Sequence, residues 1–164
     1  MFNHVQVNLP DKLTRETIDG KRYYKVPGHE DKKLVSVTTV TSFQSAKSIA
    51  AWRRRVGEEA ANRKSRRAAS RGTGMHTLTE YYLKNEELPK VQPLSEFLFK
   101  FAKPELNKID NIHALETPLY SFKLGIAGTV DCIAEYNGEL AVIDFKTSEK
   151  PKPEEWIEGY FVQA

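Results

Sequence analysis

Residues 128–146 read GTVDCIAEYNGELAVIDFK and predict two antiparallel strands joined by a tight turn. The pair Asn137-Gly138 lies at the centre, and it favours a type I′ turn because both central positions of that turn need a positive φ. With a two-residue loop, Asp131 lies directly across from Asp144, at a Cβ separation of about 4.5–5.5 Å. Lys146 is two residues further along the strand and therefore shares the face of Asp144.

Two carboxylates this close repel each other unless one is protonated or a cation lies between them. Carboxylate oxygens are good ligands for Mg²⁺ or Mn²⁺, and the backbone carbonyl of Phe145 is a further candidate ligand. Such an ion polarises a phosphodiester and acidifies bound water, which Lys146 can orient or deprotonate. The hairpin therefore predicts metal-assisted phosphodiester hydrolysis. The alternative is a salt-bridged pair of surface strands, because D-x-K triplets are common.

The whole chain has the composition of one soluble globular domain. It has 164 residues, of which 40% are hydrophobic and 29% charged, and this excludes a disordered chain. No apolar run approaches the roughly 20 residues that span a bilayer, so no membrane partner is expected. The N-terminus resembles neither a secretory signal nor a transit peptide, and the single cysteine, Cys132, fits a reducing compartment. We therefore expect a cytoplasmic protein of a bacterium or a phage-infected host.

Positive charge is concentrated between residues 45 and 71. Only Glu58 and Glu59 oppose nine basic residues there, so the local charge of +7 exceeds the +3 of the whole chain. Such a stretch is typical of a polyanion-binding surface, although a solvated helix face has the same composition. The nine residues are Lys47, Arg53, Arg54, Arg55, Arg63, Lys64, Arg66, Arg67 and Arg71.

The first two thirds of the chain predict short strands followed by helices. Strands are expected at 21–26 and 34–40, and helices at 46–69, 73–84 and 94–101. Ser42 or Ser45 is expected to cap the first helix, residues 71–74 to interrupt it, and Pro104 to break or kink the last one. The helical period predicts these core-facing residues: Ile49, Trp52, Val56, Ala60, Ala61, Met75, Leu78, Tyr82, Leu94, Phe97, Leu98 and Phe101.

The last third predicts a sheet and the start of a helix. Strands are expected at 112–122, 125–136 and 139–147, the first at an edge because it contains Pro118, and helical turns at 154–164. Cys132 follows Asp131 and is expected on the opposite face, in the core. The fold class is therefore α/β, of a mixed α+β kind, in one domain spanning 1–164. Its parts are an extended region (1–44), a helical region (45–108) and the sheet with the following helix (109–164).

Four stretches together resemble a known family. They are GTVDCIAEYNGELAVIDFKTSEKPKP at 128–153, VSVTTVTS at 35–42, WRRRVG at 52–57 and RGTGMH at 71–76. They are similar to the RecB-type exonucleases of the PD-(D/E)xK superfamily, and most of all to the branch that contains the mitochondrial genome maintenance exonuclease and its phage and bacterial relatives. The resemblance implies a restriction-endonuclease-like core, in which a central mixed sheet is flanked by helices.

The resemblance also implies roles for particular residues. His76 corresponds to the helix histidine that approaches the metal, Asp131 to the first metal carboxylate, and Asp144 and Lys146 to the D-x-K pair. Glu116 matches an acidic position on the preceding strand and is a weaker candidate, while Glu80 is expected to be a surface charge. Candidate DNA-binding residues are Arg53, Arg54, Arg67, Arg71, Thr147 and Gln163, and Trp52, Tyr81 and Tyr82 are possible stacking surfaces.

The family pattern continues with Q-x-x-x-Y, of which Gln163 fits the first position. Because the sequence ends at Ala164, we expect either a truncated version of the fold or a second chain that completes it. The resemblance implies an Mg²⁺- or Mn²⁺-dependent exonuclease on single-stranded DNA, in replication, repair or recombination. The alternatives are a structure-specific endonuclease on the same fold and a DNA-binding subunit without catalytic activity.

Overall fold

The computed structural model describes residues 1–163, apart from the side chains at positions 44 and 156. The chain forms a mixed α/β fold in which one mixed sheet is flanked by helices. The elements in chain order are β1 (Thr14–Ile18), β2 (Lys21–Val26), β3 (His29–Ser36), α1 (Val37–Val56), α2 (Glu58–Leu83), α3 (Pro93–Leu106), β4 (Ile109–Ser121), β5 (Ile126–Tyr136), β6 (Glu139–Ile143), a 3₁₀ turn (Glu154–Trp156) and α4 (Glu158–Gln163).

Strand β5 is the centre of the sheet, and its two long edges are used differently. One edge pairs with β4, which is antiparallel to it from residue 126 to residue 136. The other edge is shared by β3, parallel at Ile126 and Ala127, and by β6, antiparallel from Cys132 onward. Residues 128–131 therefore lie in a gap between β3 and β6, where β5 has a described strand partner on the β4 side alone.

The β5–β6 hairpin has the predicted turn and register. Asn137 and Gly138 adopt φ values of 53° and 84°, and Tyr136 pairs with Glu139. The ladder continues in this register to Cys132 and Ile143. The predicted strand at 139–147 was too long, because β6 ends at Ile143. The residues after Ile143 are not paired with β5 in the ladder.

The predicted strands at 21–26, 112–122 and 125–136 are confirmed to within a few residues. Strand β4 pairs with β5 on one side, which agrees with an edge position for Pro118. Its other side is partly covered by the N-terminal residues. The Val5 amide donates to the Ile112 carbonyl and the Ile112 amide donates to the Asn3 carbonyl, each at 2.8 Å.

The start of α1 differs from the prediction. The β-branched run at 34–40 was expected to be a strand, but the strand ends at Ser36 and Val37 begins the helix. Neither Ser42 nor Ser45 is the cap, since both lie inside α1. The Ser42 hydroxyl donates to the Thr39 carbonyl, so its hydrogen-bond partner is a backbone group of the same helix. Packing against β3 and β5 overrides the preference of this run for extended structure.

The helix break is also displaced from its predicted position. Gly57 separates α1 from α2 with a φ of 83°, and its amide donates to the Arg53 carbonyl. Residues 71–74, the expected interruption, are continuous helix within α2. A Cβ on Gly74 would lie 2.8 Å from the Ser95 Cβ. The absence of a side chain at position 74 therefore allows α2 and α3 to approach closely, and it does not mark a turn.

The core includes residues from α2, α3 and the sheet, among them Met75, Leu78, Phe99 and Cys132. The burial predicted for Met75, Leu78, Ala61 and Cys132 is confirmed. That predicted for Ile49, Leu94, Phe97 and Phe101 was wrong, because these four side chains are exposed. In α3 the buried face instead contains Ser95, Phe99 and Leu106, and the helix passes Pro104 to end at Leu106.

The C-terminal prediction of helical turns is confirmed as the 3₁₀ turn and α4, and Ala164 lies outside the described residues. Among residues 1–163, each helix is too short or too polar to cross a membrane.

Candidate metal centre and active site

The gap between β3 and β6 brings three ligand-bearing side chains together. His76 extends from α2, Glu116 from β4 and Asp131 from β5. One ligand atom of each lies within 4.8 Å of the ligand atoms of the other two. Helix and sheet thus supply an imidazole and two carboxylates to one point. The sequence predicted His76 and Asp131 as partners and ranked Glu116 below them.

Glu116 is placed opposite Asp131 by the register of β4 and β5. Leu115 pairs with Cys132 and Thr117 pairs with Val130, so Glu116 and Asp131 occupy the rung between these pairs. Glu116 has a φ of 47°, a conformation that is strained for a residue with a side chain. Strain of this kind is found where function requires a particular side-chain direction. A single sequence contains no signal for it.

His76 is held by the backbone of Phe145. Its Nε2 lies 2.7 Å from the Phe145 carbonyl oxygen, and because a carbonyl can only accept, Nε2 must carry a hydrogen. The remaining ring nitrogen, Nδ1, lies 3.6 Å from Glu116 Oε1 and 3.8 Å from Asp131 Oδ2. The Glu116 carboxylate, together with the Asp131 charge, raises the pKa of His76 against the opposing effect of burial. The Phe145 carbonyl, predicted as a metal ligand, is thus used here by His76.

Asp131 is held by the same residue. The Phe145 amide donates to Asp131 Oδ2 at 2.7 Å, in place of the strand hydrogen bond that β6 would otherwise continue. Burial raises the pKa of the Asp131 carboxyl, and the Phe145 amide and His76 act in the opposite direction. The charge of the nearby Asp144 carboxylate also raises this pKa.

Asp144 and Lys146 form a second group beside the first. The Lys146 ammonium donates to Asp144 Oδ1, and Gln163 Nε2 donates to the same oxygen at 3.3 Å. The β5–β6 ladder keeps the predicted register but ends at Cys132 and Ile143, one rung before the predicted pair of Asp131 and Asp144. Asp144 does not belong to the group formed by His76, Glu116 and Asp131, whose ligand atoms lie within 4.8 Å of one another. The predicted residues Asp131, Asp144, Lys146 and Gln163 nevertheless share one region of the molecule.

The three-ligand group has a donor set suited to a divalent cation. Carboxylate oxygens are the ligands that Mg²⁺ and Mn²⁺ prefer, and imidazole is a common ligand of transition metals. Metal–oxygen distances of about 2.1 Å limit two ligands of one Mg²⁺ to roughly 4.2 Å apart. The three ligand atoms lie within 4.8 Å of one another, so they would have to approach by about 0.6 Å at most to reach that limit.

The predicted DNA-binding arginines are distributed over two helices. Arg53 donates to Glu58 and to Asn62, while Arg54 and Arg67 are exposed. Arg71 has only 11% of its side chain exposed and lies 3.5 Å from Glu149, so it joins α2 to the segment after β6. Thr147 lies against Gly72 in the same place.

The remaining candidates have structural contacts. Glu80 forms an ion pair with Lys84 on the surface of α2, as predicted for a surface charge. The Tyr82 hydroxyl donates to Asn107, and its ring packs edge-on against Phe2 and Phe99. Trp52 and Tyr81 are partly buried. Tyr82 therefore belongs to the core rather than to a stacking surface.

A groove of about 650 Å³ opens beside the carboxylates. Its lining includes Glu116, Asp131, Asp144 and Gln163, and it also includes Arg15 and Arg22 of the β1–β2 hairpin. The sequence analysis missed these two arginines. A signal was present in Asp19-Gly20, a pair typical of two-residue hairpin turns, which would have aligned them on one strand face.

The comparison with known proteins gives a short, local similarity. Over 48 residues, 29% of the chain, the sequence is 52% identical to mitochondrial genome maintenance exonuclease 1 of Mus musculus and 50% identical to the proteins of that name from Homo sapiens and Xenopus tropicalis. The matched segment spans 14% of the length of each of these relatives. No family model matches the chain. The similarity supports a relationship to a nuclease over this segment.

Proposed function

We propose that this chain is a metal-dependent deoxyribonuclease with a PD-(D/E)xK core, acting as an exonuclease on single-stranded DNA in replication, repair or recombination. The observation that carries the proposal is the convergence of His76, Glu116 and Asp131 beside the Asp144–Lys146 pair. Partly buried carboxylates this close together repel one another, and a bound cation would relieve that repulsion. The local identity to proteins named exonucleases supports the same activity.

His76, Glu116 and Asp131 would hold the ion, with Asp144 able to join them after a rotation of its side chain away from Lys146. A divalent cation bound there supplies charge that polarises the phosphodiester and acidifies water. Phe145 fixes the direction of two of these ligands through its amide and its carbonyl. Ligands oriented by backbone hydrogen bonds lose little freedom when an ion binds.

Lys146 is the residue assigned to the reacting atoms. Its ammonium donates to Asp144 Oδ1, and Asp144 lines the groove that would receive the scissile phosphate. In that position the ammonium can orient the attacking water and offset negative charge that develops on the phosphate. Only the neutral amine, formed after Lys146 loses a proton, can take up the proton of that water. Gln163 Nε2 shares the Asp144 oxygen and would hold Asp144 when Lys146 turns toward the substrate.

The test is digestion of single-stranded DNA in linear and circular forms, end-labelled or uniformly labelled, with Mg²⁺, Mn²⁺ or EDTA. We expect the linear strands to shorten from their ends in the presence of either metal and the circles to remain intact. Cutting of circles would instead favour an endonuclease. Binding of DNA without cleavage under every metal condition would contradict catalysis. The variant Asp131→Asn is the control for a contaminating nuclease.

A further inference from the structure

The groove beside the carboxylates has an end of opposite charge. Glu116, Asp131 and Asp144 line one part of it, and Arg15 and Arg22 line another. A polyanion would be repelled by the carboxylates in the absence of a cation, but it would be attracted by the two guanidinium groups. The two parts of the groove therefore carry opposite charges. This arrangement suits a polymer that carries one negative charge on each of its repeating units.

The two arginines share one face of the β1–β2 hairpin. Arg15 pairs with Tyr24 and Arg22 pairs with Thr17 across the hairpin. Directly opposed residues project from the same face, and so do residues two apart on one strand. Arg15 and Arg22 thus lie side by side with the buried Tyr24, on the face that is directed at the groove. The turn Asp19-Gly20, with φ values of 49° and 74°, sets this register.

Within the described part of the chain, neither guanidinium group forms an ion pair with a carboxylate. The ion pair of this hairpin, between Lys25 and Glu16 at 2.5 Å, belongs to its opposite face. Both arginines are exposed, so their charges are available to a ligand. An arginine that has no carboxylate partner and faces a groove is well suited to bind a phosphate through two parallel hydrogen bonds.

The lining of the groove also includes side chains that can contact bases. Tyr120 and Leu124 are 39% and 67% exposed, and both belong to the groove lining. Unpaired bases expose flat, apolar faces that stack on such residues, whereas the bases of a duplex are already stacked on one another. This lining favours a single strand over a duplex.

We propose that Arg15 and Arg22 bind the backbone phosphates of a single polynucleotide strand at a distance from the phosphate that is cut. This inference rests on the proposed function and names residues for substrate binding that are separate from the basic stretch at 45–71. The hairpin would act as a second point of attachment, so that a strand long enough to reach it is held in the groove while its end lies at Asp131.

The test measures binding in EDTA, so that its result is independent of cleavage. Fluorescein-labelled oligothymidylates of 2 and 12 nucleotides are titrated with the wild-type chain, with the double variant Arg15→Ala/Arg22→Ala, and with Lys33→Ala. Lys33 is a matched control, because it is an exposed cation of the same sheet, paired with Lys25 on the opposite face. The charge-conserving variant Arg15→Lys/Arg22→Lys tests whether the effect comes from charge, and thermal unfolding checks that each variant is folded.

We expect the double alanine variant to bind the 12-mer at least about tenfold more weakly than the Lys33→Ala control, since one charged hydrogen bond of about 1.5 kcal/mol corresponds to that factor. The slope of log K against log salt should fall by about 1.4, or about 0.7 for each lost contact with a single strand. The dinucleotide should be unaffected, and the lysine variant should keep most of the 12-mer affinity. Equal 12-mer binding and equal salt slopes in the alanine variant and the Lys33→Ala control would overturn the proposal. A folded chain that then fails to cut DNA would overturn the proposed function alone.

Discussion

The amide of Phe145 donates a 2.7 Å hydrogen bond to Asp131 Oδ2, and Phe145 lies two residues beyond Ile143, the last paired residue of β6. The carbonyl of the same residue accepts from His76 Nε2, also at 2.7 Å. The middle residue of the D-x-K triplet therefore orients two candidate ligands through its backbone, while its neighbours Asp144 and Lys146 supply the side chains. Any residue except proline can provide that amide, so the sequence gives no sign of this role.

The first prediction concerns Asp131 as a metal ligand. Asp131→Asn keeps an oxygen that can accept from the Phe145 amide, so its thermal unfolding should resemble that of the wild-type chain. The lost charge should weaken Mn²⁺ binding by more than the roughly 10–100-fold that loss of a supporting hydrogen bond costs, and cleavage should disappear. Calorimetric titration with Mn²⁺ measures the affinity. Glu135→Gln is the control. Glu135 lies on the same strand, and its carboxylate accepts a hydrogen bond from Asn111. This variant should bind Mn²⁺ and cleave DNA as the wild-type chain does.

The second prediction separates Lys146 from metal binding. Lys146→Ala removes the group that orients water and offsets charge, and such groups contribute about 10²–10⁴-fold to rate. The rate of strand shortening should fall by that factor, while the Mn²⁺ affinity should stay within a few-fold because the three-ligand group is intact. Lys150→Ala, an exposed lysine four residues later, is the control. Loss of metal affinity in Lys146→Ala, without a change in rate at saturating metal, would contradict this assignment.

The third prediction concerns pH. The pKa of His76 is raised by the Glu116 carboxylate, with a further contribution from Asp131, so these carboxylates stabilise the imidazolium form. Its stabilising effect is complete below the unfolded-state pKa of about 6.5 and is lost as pH rises through the higher folded-state pKa. A cation must displace this proton, so the Mn²⁺ affinity should increase between pH 6 and pH 8.

The measurement is the Mn²⁺ dissociation constant at pH 6, 7 and 8 in buffers of matched ionic strength. His76→Gln removes the titrating group, so it should bind Mn²⁺ more weakly at pH 8 and show a shallower dependence on pH. A pH dependence of the same steepness in His76→Gln would mean that another group releases the proton. Exposed carboxylates titrate at lower pH and do not account for a change above pH 6.

The fourth prediction concerns Cys132. Burial raises the pKa of its thiol to about 12, and the Asp131 charge contributes in the same direction. At pH 8 the reactive thiolate is then a minute fraction, and the side chain is fully buried. We expect the folded chain to resist thiol labelling at pH 8 and the chain in denaturant to be labelled rapidly. Rapid labelling without denaturant would show that the sheet opens at β5.

The sequence predicted those parts of the fold that depend on local pattern. Asn137-Gly138 specified the hairpin turn, and counting from it gave the correct pairing as far as Cys132 and Ile143. Asp144 lies one residue beyond the last pair of this ladder, and no local signal in the sequence marks the point at which a strand leaves its neighbour. Glu116 was ranked too low for a similar reason, since its positive φ and its place opposite Asp131 arise from the long-range register of β4 on β5.

Helix boundaries depended on tertiary contacts that composition does not contain. Gly57, Gly72 and Gly74 are equally good helix breakers by propensity, yet only Gly57 adopts a positive φ. Gly72 and Gly74 lie within α2. There is room for a side chain at position 72 but not at position 74. The buried face of α3 was likewise misassigned. Two stripes of residues along this helix have the helical period of 3.6 residues, and only packing against α2 determines which of them is buried.

The last prediction tests these two helical glycines. A Cβ on Gly74 would lie 2.8 Å from the Ser95 Cβ, whereas one on Gly72 would have Thr147 Oγ1 as its nearest neighbour, at 3.8 Å. Gly72→Ala should therefore stabilise the chain by about 0.5–1 kcal/mol, the usual gain of alanine over glycine in a helix. Gly74→Ala should destabilise it by about 1–3 kcal/mol, because overpacking of α2 against α3 outweighs that gain.

Urea unfolding followed by circular dichroism measures both variants, and Ser95→Gly completes the cycle for the second. Ser95→Gly removes the two side-chain atoms that Gly74→Ala would meet, so the double variant should be more stable than the sum of the single changes predicts. The coupling should amount to at least about 1 kcal/mol. Additive effects would mean that α3 moves aside at no cost, and the two glycines would then differ only in their intrinsic helix propensity. A coupled result would establish that the glycine at position 74 sets the distance between α2 and α3, and with it the position from which His76, two residues later, reaches Glu116 and Asp131.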